Sequence, residues 1–167
     1  MNHEPFSFTI QSSLGNPTFA RTGVIHTPHG DIKTPAFIPV GTKATVKALT
    51  PEQLKETGAQ AMLANAYHLY LQPGHDIIHK AGGLSAFSHW NGPTFTDAGG
   101  FQVLSLGSGF KKVISMDVAT SSNTPRSSRR AFVDDDGVNF RSIIDGSLHR
   151  FTPEVSMEIQ HGIGADI

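Results

Sequence analysis

Apolar positions along the chain change rhythm more than once. Phe6, Phe8 and Ile10 alternate with polar residues, the two-residue period of a half-buried strand. Arg21 to Asp31 reads as a strand entering a turn at Pro28, Gly30 and Asp31. Ala36-Phe-Ile-Pro-Val40 is an unbroken apolar run, which predicts a strand buried on both faces. Beyond it, strands and helices alternate. Thr50-Pro51-Glu52 combines an N-cap, a first-turn proline and an acid at the positive helix end, so a helix is predicted to about Thr57, stopped by Gly58. Ala61 to Asn65 follows as a second buried strand, then a helix over about Gly74 to Ala81 ended by Gly82-Gly83. Thr94 to Asp97 is a short third strand running into Gly99-Gly100. Strand, helix, strand, helix, strand predicts parallel strands joined by crossovers.

Residues 107–131 break this order. Five serines fall between Ser115 and Ser128 without periodicity, which predicts a polar loop. Ala131 to Phe151 then reads as antiparallel β structure, turning at Asp134-Asp-Asp-Gly137 and at Asp145-Gly146. A second Thr-Pro-Glu, at 152–154, predicts a helix to about Gly162. Ile159 to Ile167 reads as a helix tail, a glycine stop and the first residues of a new strand, so an incomplete protein is expected.

A length of 167 residues fits one domain. Hydrophobic residues at 38% against 16% charged argue against a disordered chain. The net charge of −1 gives no global basic field, so a nucleic-acid partner would need a local patch. The absence of cysteine excludes disulfides, a Cys nucleophile, iron–sulfur clusters and Cys-containing zinc sites within these residues. No 18-residue apolar stretch and no signal-peptide pattern occurs, so no membrane partner and a cytoplasmic location are expected.

The strongest candidate for chemistry is Thr96-Asp97-Ala98-Gly99-Gly100-Phe101-Gln102. Asp97 falls at the carboxyl end of a buried parallel strand, where α/β folds place active sites. The glycines allow close backbone approach, Phe101 offers a flat apolar face, and Gln102 offers a donor and an acceptor. Such a set could hold a planar heterocycle while the carboxylate moves a proton. The same residues also read as an aspartate turn with two tight glycines, and spacing does not choose between the two. Leu63-Ala-Asn65-Ala-Tyr67-His68 ends the preceding strand, and right-handed crossovers turn successive strand ends to one side, so Asn65 and Asp97 could share a pocket. The alternative is that Asn65 caps the following turn; for His68 a backbone hydrogen bond is the favoured reading. No metal-binding spacing appears among nine histidines. His26 and His29 are expected to face solvent, and Asp134 to Asp136 to form a hairpin turn rather than a calcium loop. Lys111, Lys112, Arg126, Arg129 and Arg130 read as a solvated loop, with a phosphate contact as the minority reading.

The stretches Pro39-Val-Gly-Thr-Lys-Ala-Thr-Val-Lys, Leu-Ala-Asn-Ala-Tyr-His-Leu, Asp97-Ala-Gly-Gly-Phe-Gln-Val, Asp145-Gly-Ser and Phe151-Thr-Pro-Glu resemble the tRNA-guanine transglycosylases (queuine tRNA-ribosyltransferases), the bacterial form most. The likeness covers nearly the whole chain apart from roughly residues 110–130. It implies the N-terminal part of a single (β/α)8 TIM-barrel catalytic domain. Residues 6–35 would be an antiparallel β cap, 36–106 the first βα units, 107–131 the polar loop, 132–151 an inserted β-hairpin, and 152–167 a helix and the start of the next strand. The implied reaction replaces guanine at the anticodon wobble position of tRNA with preQ1, a 7-deazaguanine, by double displacement through a downstream aspartate. It parallels retaining glycoside hydrolysis in giving two carboxylates distinct roles. The implied partners are tRNA and the guanine or preQ1 base, with a homodimer in the full-length form.

Carried over residue by residue, Asp97 matches the acid/base aspartate that also binds the base, and Phe101 the aromatic that stacks on it. Gly99 and Gly100 match the surrounding backbone, Leu63 and Asn65 pocket-lining positions, and Gln102 an edge contact. Ala98 stands where many members carry Ser. The loop at 110–130 is longer than in many relatives. A Phe-Asp-Glu strand, the nucleophilic aspartate and the ligands of the family's Zn2+ all belong to later segments of the family's sequence, so no residue of this chain is assigned to the metal. A barrel typically needs about 250 residues, and these supply roughly three of eight strands, so the chain alone is expected to be inactive. Two alternatives are a non-catalytic remnant of the family and a small-molecule barrel enzyme using Asp97 as base.

Overall fold

A computed structural model describes residues 6–15, 19–108 and 131–167. The basic cluster at 111, 112, 126, 129 and 130 lies outside the described residues, as does the polar loop apart from its ends.

The chain opens with an antiparallel sheet in the order β1 (Ser7–Ser13), β2 (Arg21–Thr27), β3 (Gly30–Thr34). A register shift between Ile10 and Ser12 marks a bulge in β1. The alternation of Phe6, Phe8 and Ile10 does make a strand, but Phe8 and Ile10 stay exposed.

The run from Ala36 to Val40 differs from expectation. It forms no regular strand, and only Val40 makes a parallel bridge, to Leu63. Phe37 is 84% exposed and Val40 57%. Pro35 and Pro39 explain this, since neither has an N–H to give a ladder. The contact that survives uses other groups: Leu63 N donates to the Pro39 carbonyl at 3.0 Å, and Gly41 N donates to the Leu63 carbonyl at 2.7 Å.

α1 (Pro51–Glu56) starts as predicted, with a full capping box between Thr50 and Gln53. β4 (Met62–Ala64) and β5 (Thr94–Thr96) pair in parallel, Leu63 opposite Phe95. Between them run α2 (Ala66–Leu71), α3 (His75–Lys80) and α4 (Leu84–Ser88). Only α3 was legible in the pattern. α5 (Gly100–Ser108) follows β5 directly, so residues 107 and 108 end a helix rather than begin a loop.

The expected hairpin at 132–151 is a three-stranded antiparallel sheet, β6 (Ala131–Asp134), β7 (Gly137–Arg141), β8 (Leu148–Phe151). Its two turns fall at the predicted Asp-Gly positions. α6 (Pro153–Ile163) is capped by Thr152 and closed by Gly164 at φ +65°. The chain then returns to β5. Ile167 N donates to the Thr94 carbonyl at 3.1 Å and Thr96 N donates to the Ile167 carbonyl at 2.8 Å, the slanted alternation of a parallel pair. The segments 39–41, β4, β5 and 165–167 thus lie side by side in chain order. The architecture is mixed α/β, with no closed barrel among the described residues.

The core lies between these helices and the second antiparallel sheet. Tyr67, Leu69, Ile78, Leu84, Val103, Phe140, Ile159 and Ile163 are all buried there. Tyr67 meets Phe140 at 5.5 Å between ring centroids, and Phe140 meets Phe151 edge to face at 4.9 Å. This second antiparallel sheet is thereby fastened to α2, the helix that follows β4.

Candidate functional site

Parallel pairing of Ala64 with Thr96 brings the next residues, Asn65 and Asp97, to the same end of the sheet. Asn65 is buried, and Asp97 is half-buried. Asn65 Oδ1 accepts from His68 N at 3.1 Å and so caps α2. That bond fixes the amide orientation and turns Nδ2 to Asp97 Oδ2, to which it donates. Both readings of Asn65, cap and partner of Asp97, therefore hold at once. Ala66 N donates to Asp97 Oδ1 at 3.0 Å, and Gln102 Nε2 donates to Oδ2 at 3.1 Å. Three donors from two elements grip one carboxylate at the carboxyl end of β5.

Gly99 is fixed by its surroundings. Its φ is +72°, and a Cβ there would lie 3.1 Å from both Cβ and N of Tyr67. Its carbonyl accepts the first bond of α5, from Val103 N at 3.2 Å. Gly100 opens the helix into free space. Ala98, Gly100 and Phe101 form an exposed rim, with Phe101 67% exposed, while Gln102 tucks in toward the carboxylate. Leu63 is half-buried and shares a face of β4 with Asn65, two residues on.

His68 contributes its backbone N–H to the Asn65 cap. Burial lowers its imidazole pKa, Lys43 lowers it further, and Asp97 pulls the other way. It is neutral at pH 7. A cavity of about 540 Å³ lies between α1, the 43–50 loop and Trp90, but Asp97 does not line it. The convergent polar groups favour Asp97 over that cavity.

Several polar links escaped the sequence. His26 and His29 do not simply face solvent: His26 Nδ1 meets Asp31 at 2.7 Å, and His29 Nδ1 meets the buried Asp166 at 2.7 Å. Tyr70, His149, Ser147 and Asp145 form a chain. The Ser147 hydroxyl donates to Asp145 at 2.7 Å, so His149 Nε2 donates to Ser147 Oγ at 2.8 Å and the Tyr70 hydroxyl donates to Nδ1 at 2.8 Å. Burial raises the Tyr70 pKa, which keeps it a donor. Asp145 touches the serine and not the imidazole, so this order is not that of a nucleophilic triad. Ser156, on α6, donates to the Ala98 carbonyl at 3.2 Å. Only the Asp-Gly-Ser turn and the helix cap near these residues were visible in sequence; Tyr70 and Ala98 are remote along the chain from His149 and Ser156, whereas Ser147 bonds within two residues of itself. Among the described residues no group of three or more His, Asp or Glu side chains could hold a metal. These residues do not fit a zinc site. No described helix is long and apolar enough to cross a membrane.

A polar carboxylate held at the carboxyl ends of adjacent parallel strands, beside a glycine pair and an open aromatic face, is the site pattern of α/β enzymes. The family model for queuine tRNA-ribosyltransferase matches residues 16–167, and the chain belongs to that family. It is 51% identical over 150 residues to a queuine tRNA-ribosyltransferase of Desulforamulus reducens, covering 90% of this chain and 35% of the relative. It is 48% identical over 161 residues to that of Pelotomaculum thermopropionicum, with 96% and 38% covered. For Gloeobacter violaceus the figures are 51% over 162 residues, 97% and 36%. The chain thus spans about a third of the length of the curated relatives it matches.

Proposed function

We propose that this chain is the N-terminal portion of a tRNA-guanine transglycosylase that exchanges guanine at the anticodon wobble position for preQ1, and that Asp97 is its acid/base carboxylate. The observation that carries the reading is the triple grip on Asp97 by Asn65, Ala66 N and Gln102. A carboxylate has about four acceptor sites on its two oxygens. Two donors occupy Oδ2 and one occupies Oδ1, which leaves a free site on Oδ1. That site hands a proton to the departing guanine and then takes one from the incoming base. Phe101 supplies the stacking face, Gly99 and Gly100 let the backbone come close, Ala98 sits at the rim, and Leu63 lines the pocket beside Asn65. The glycosidic bond is broken by a nucleophile outside these residues. The complete protein carries zinc, closes a (β/α)8 barrel, pairs as a homodimer and works on tRNA in the cytoplasm; the family relationship supports this part of the reading.

The test is incorporation of labelled guanine into tRNA. The 167-residue chain alone is expected to give no exchange above a no-enzyme control. In a protein completed to the length of its relatives, Asp97→Asn is expected to abolish exchange while tRNA binding survives. Full turnover in Asp97→Asn rejects the role assigned to the carboxylate.

A further inference from the structure

Ser156 sits in the first half of α6, far from Asp97 in sequence, yet it touches the Asp97 loop directly. Its hydroxyl donates to the Ala98 carbonyl at 3.2 Å. Gln160, one turn along the same helix, donates from Nε2 to Ser156 Oγ at 3.3 Å. A hydroxyl carries one proton, so filling a lone pair from Gln160 leaves that proton for Ala98. The linked bonds also polarise each other.

The peptide held this way is the one between Ala98 and Gly99. It is planar and trans, so fixing its carbonyl also fixes its N–H, which points the opposite way. Gly99 tolerates both signs of φ, so on its own backbone preference this peptide could turn over. The observed orientation, with Gly99 at φ +72°, is the one that starts α5 and delivers Gln102 to Asp97. Tyr67 packs on one side of Gly99, and Ser156 holds the peptide from another.

We propose that Ser156, oriented by Gln160, is a positioning residue for the Asp97 loop: it locks the Ala98–Gly99 peptide in one of the two orientations that glycine permits. The lock keeps Ala98, Gly100 and Phe101 at the open rim while Gln102 closes on the carboxylate. Its catalytic meaning rests on the reading of Asp97 given above, whereas the lock itself does not.

The measurement is amide hydrogen exchange by NMR on the 167-residue chain, comparing the parent with Ser156→Ala, Ser156→Thr and Gln160→Met. Two amides report on the loop: Ala66 N–H, bound to Asp97 Oδ1, and Val103 N–H, bound to the Gly99 carbonyl. Ser156→Ala is expected to speed both about fivefold, the weight of one ordinary hydrogen bond. The α6 amides should keep their rates, Ser156→Thr should restore the loop, and Gln160→Met should give a smaller change of the same kind. Unchanged Ala66 and Val103 rates in Ser156→Ala overturn the proposal. So does an acceleration spread evenly along α6, or a failure of Ser156→Thr to restore the loop. No ligand enters the measurement, so this result is read separately from the guanine-exchange assay.

Discussion

Gly99 answers to two constraints that no side chain satisfies together. Its backbone is left-handed at φ +72°, and the space a Cβ would need is already taken by Tyr67. Gly99→Ala is expected to cost about 1–3 kcal/mol from backbone strain, with crowding added. A urea titration checks this, and an unchanged midpoint would contradict the geometry. Gly100 has open space at the same test position, so its substitution is the internal control. Phe101 is the opposite case. At 67% exposure it contributes little to folding, so its ring is free for a flat ligand. Phe101→Ala is expected to leave stability within about 0.5 kcal/mol and, in a protein completed to its relatives' length, to weaken base binding by about 1–3 kcal/mol. The Michaelis constant for the base reads the second effect, and an unchanged value argues against stacking.

At the scale of elements, the β6-β7-β8 sheet is held by specific pairs. Arg150 on β8 makes two bonds to Asp134 on β6, at 2.6 and 2.7 Å, and this bonding holds the Asp134 pKa down to about 2. A depressed carboxylate adds stability above its unfolded value near 3.8 and loses it as the pH falls through about 2. Arg150→Met should return Asp134 toward the ordinary value and remove that acid dependence. Carboxyl titration by NMR reads the change; a midpoint still near 2 would assign the effect to the turn amides instead. The elements also show what the sequence could and could not tell. Both Thr-Pro-Glu starts gave helices because their caps act locally. Parallel order put Asn65 and Asp97 at one end of the sheet, and the hydrogen bond between them came only with the structure. α2 starts straight from the strand end at Asn65 and α4 straight after the Gly82-Gly83 stop, so neither shows a separate start signal, and both depend on the shared core. The run at 36–40 was apolar enough for a strand, but its prolines removed the donors. His149 and Ser156 find Tyr70 and Ala98 through tertiary packing, which spacing does not encode.

Across the whole molecule, Asp166 joins parts that are distant in the chain. Its side chain is 1% exposed and accepts from His29 Nδ1 at 2.7 Å, Thr94 N at 2.8 Å and Thr94 Oγ1 at 3.2 Å. The turn between β2 and β3 is thus tied to the root of β5, three residues before Asp97. Asp166→Ala leaves these donors unanswered in a buried place and is expected to cost about 2–3 kcal/mol. His29→Ala should cost less, because His29 is 46% exposed and water can replace it. Equal losses from the two variants in denaturant melts would contradict this ranking.

Pro35 and Pro39 bracket a segment that meets β4 on one side and no other strand among the described residues. A bare apolar margin of this kind invites a visiting chain to add itself as another strand. Pro39 does not guard that margin: its carbonyl accepts from Leu63 N, so the N–H it lacks faces β4 and not the visitor. The residues that spoil the inner ladder at Ala36–Val40 thus leave the outer margin as it is, with Phe37 uncovered.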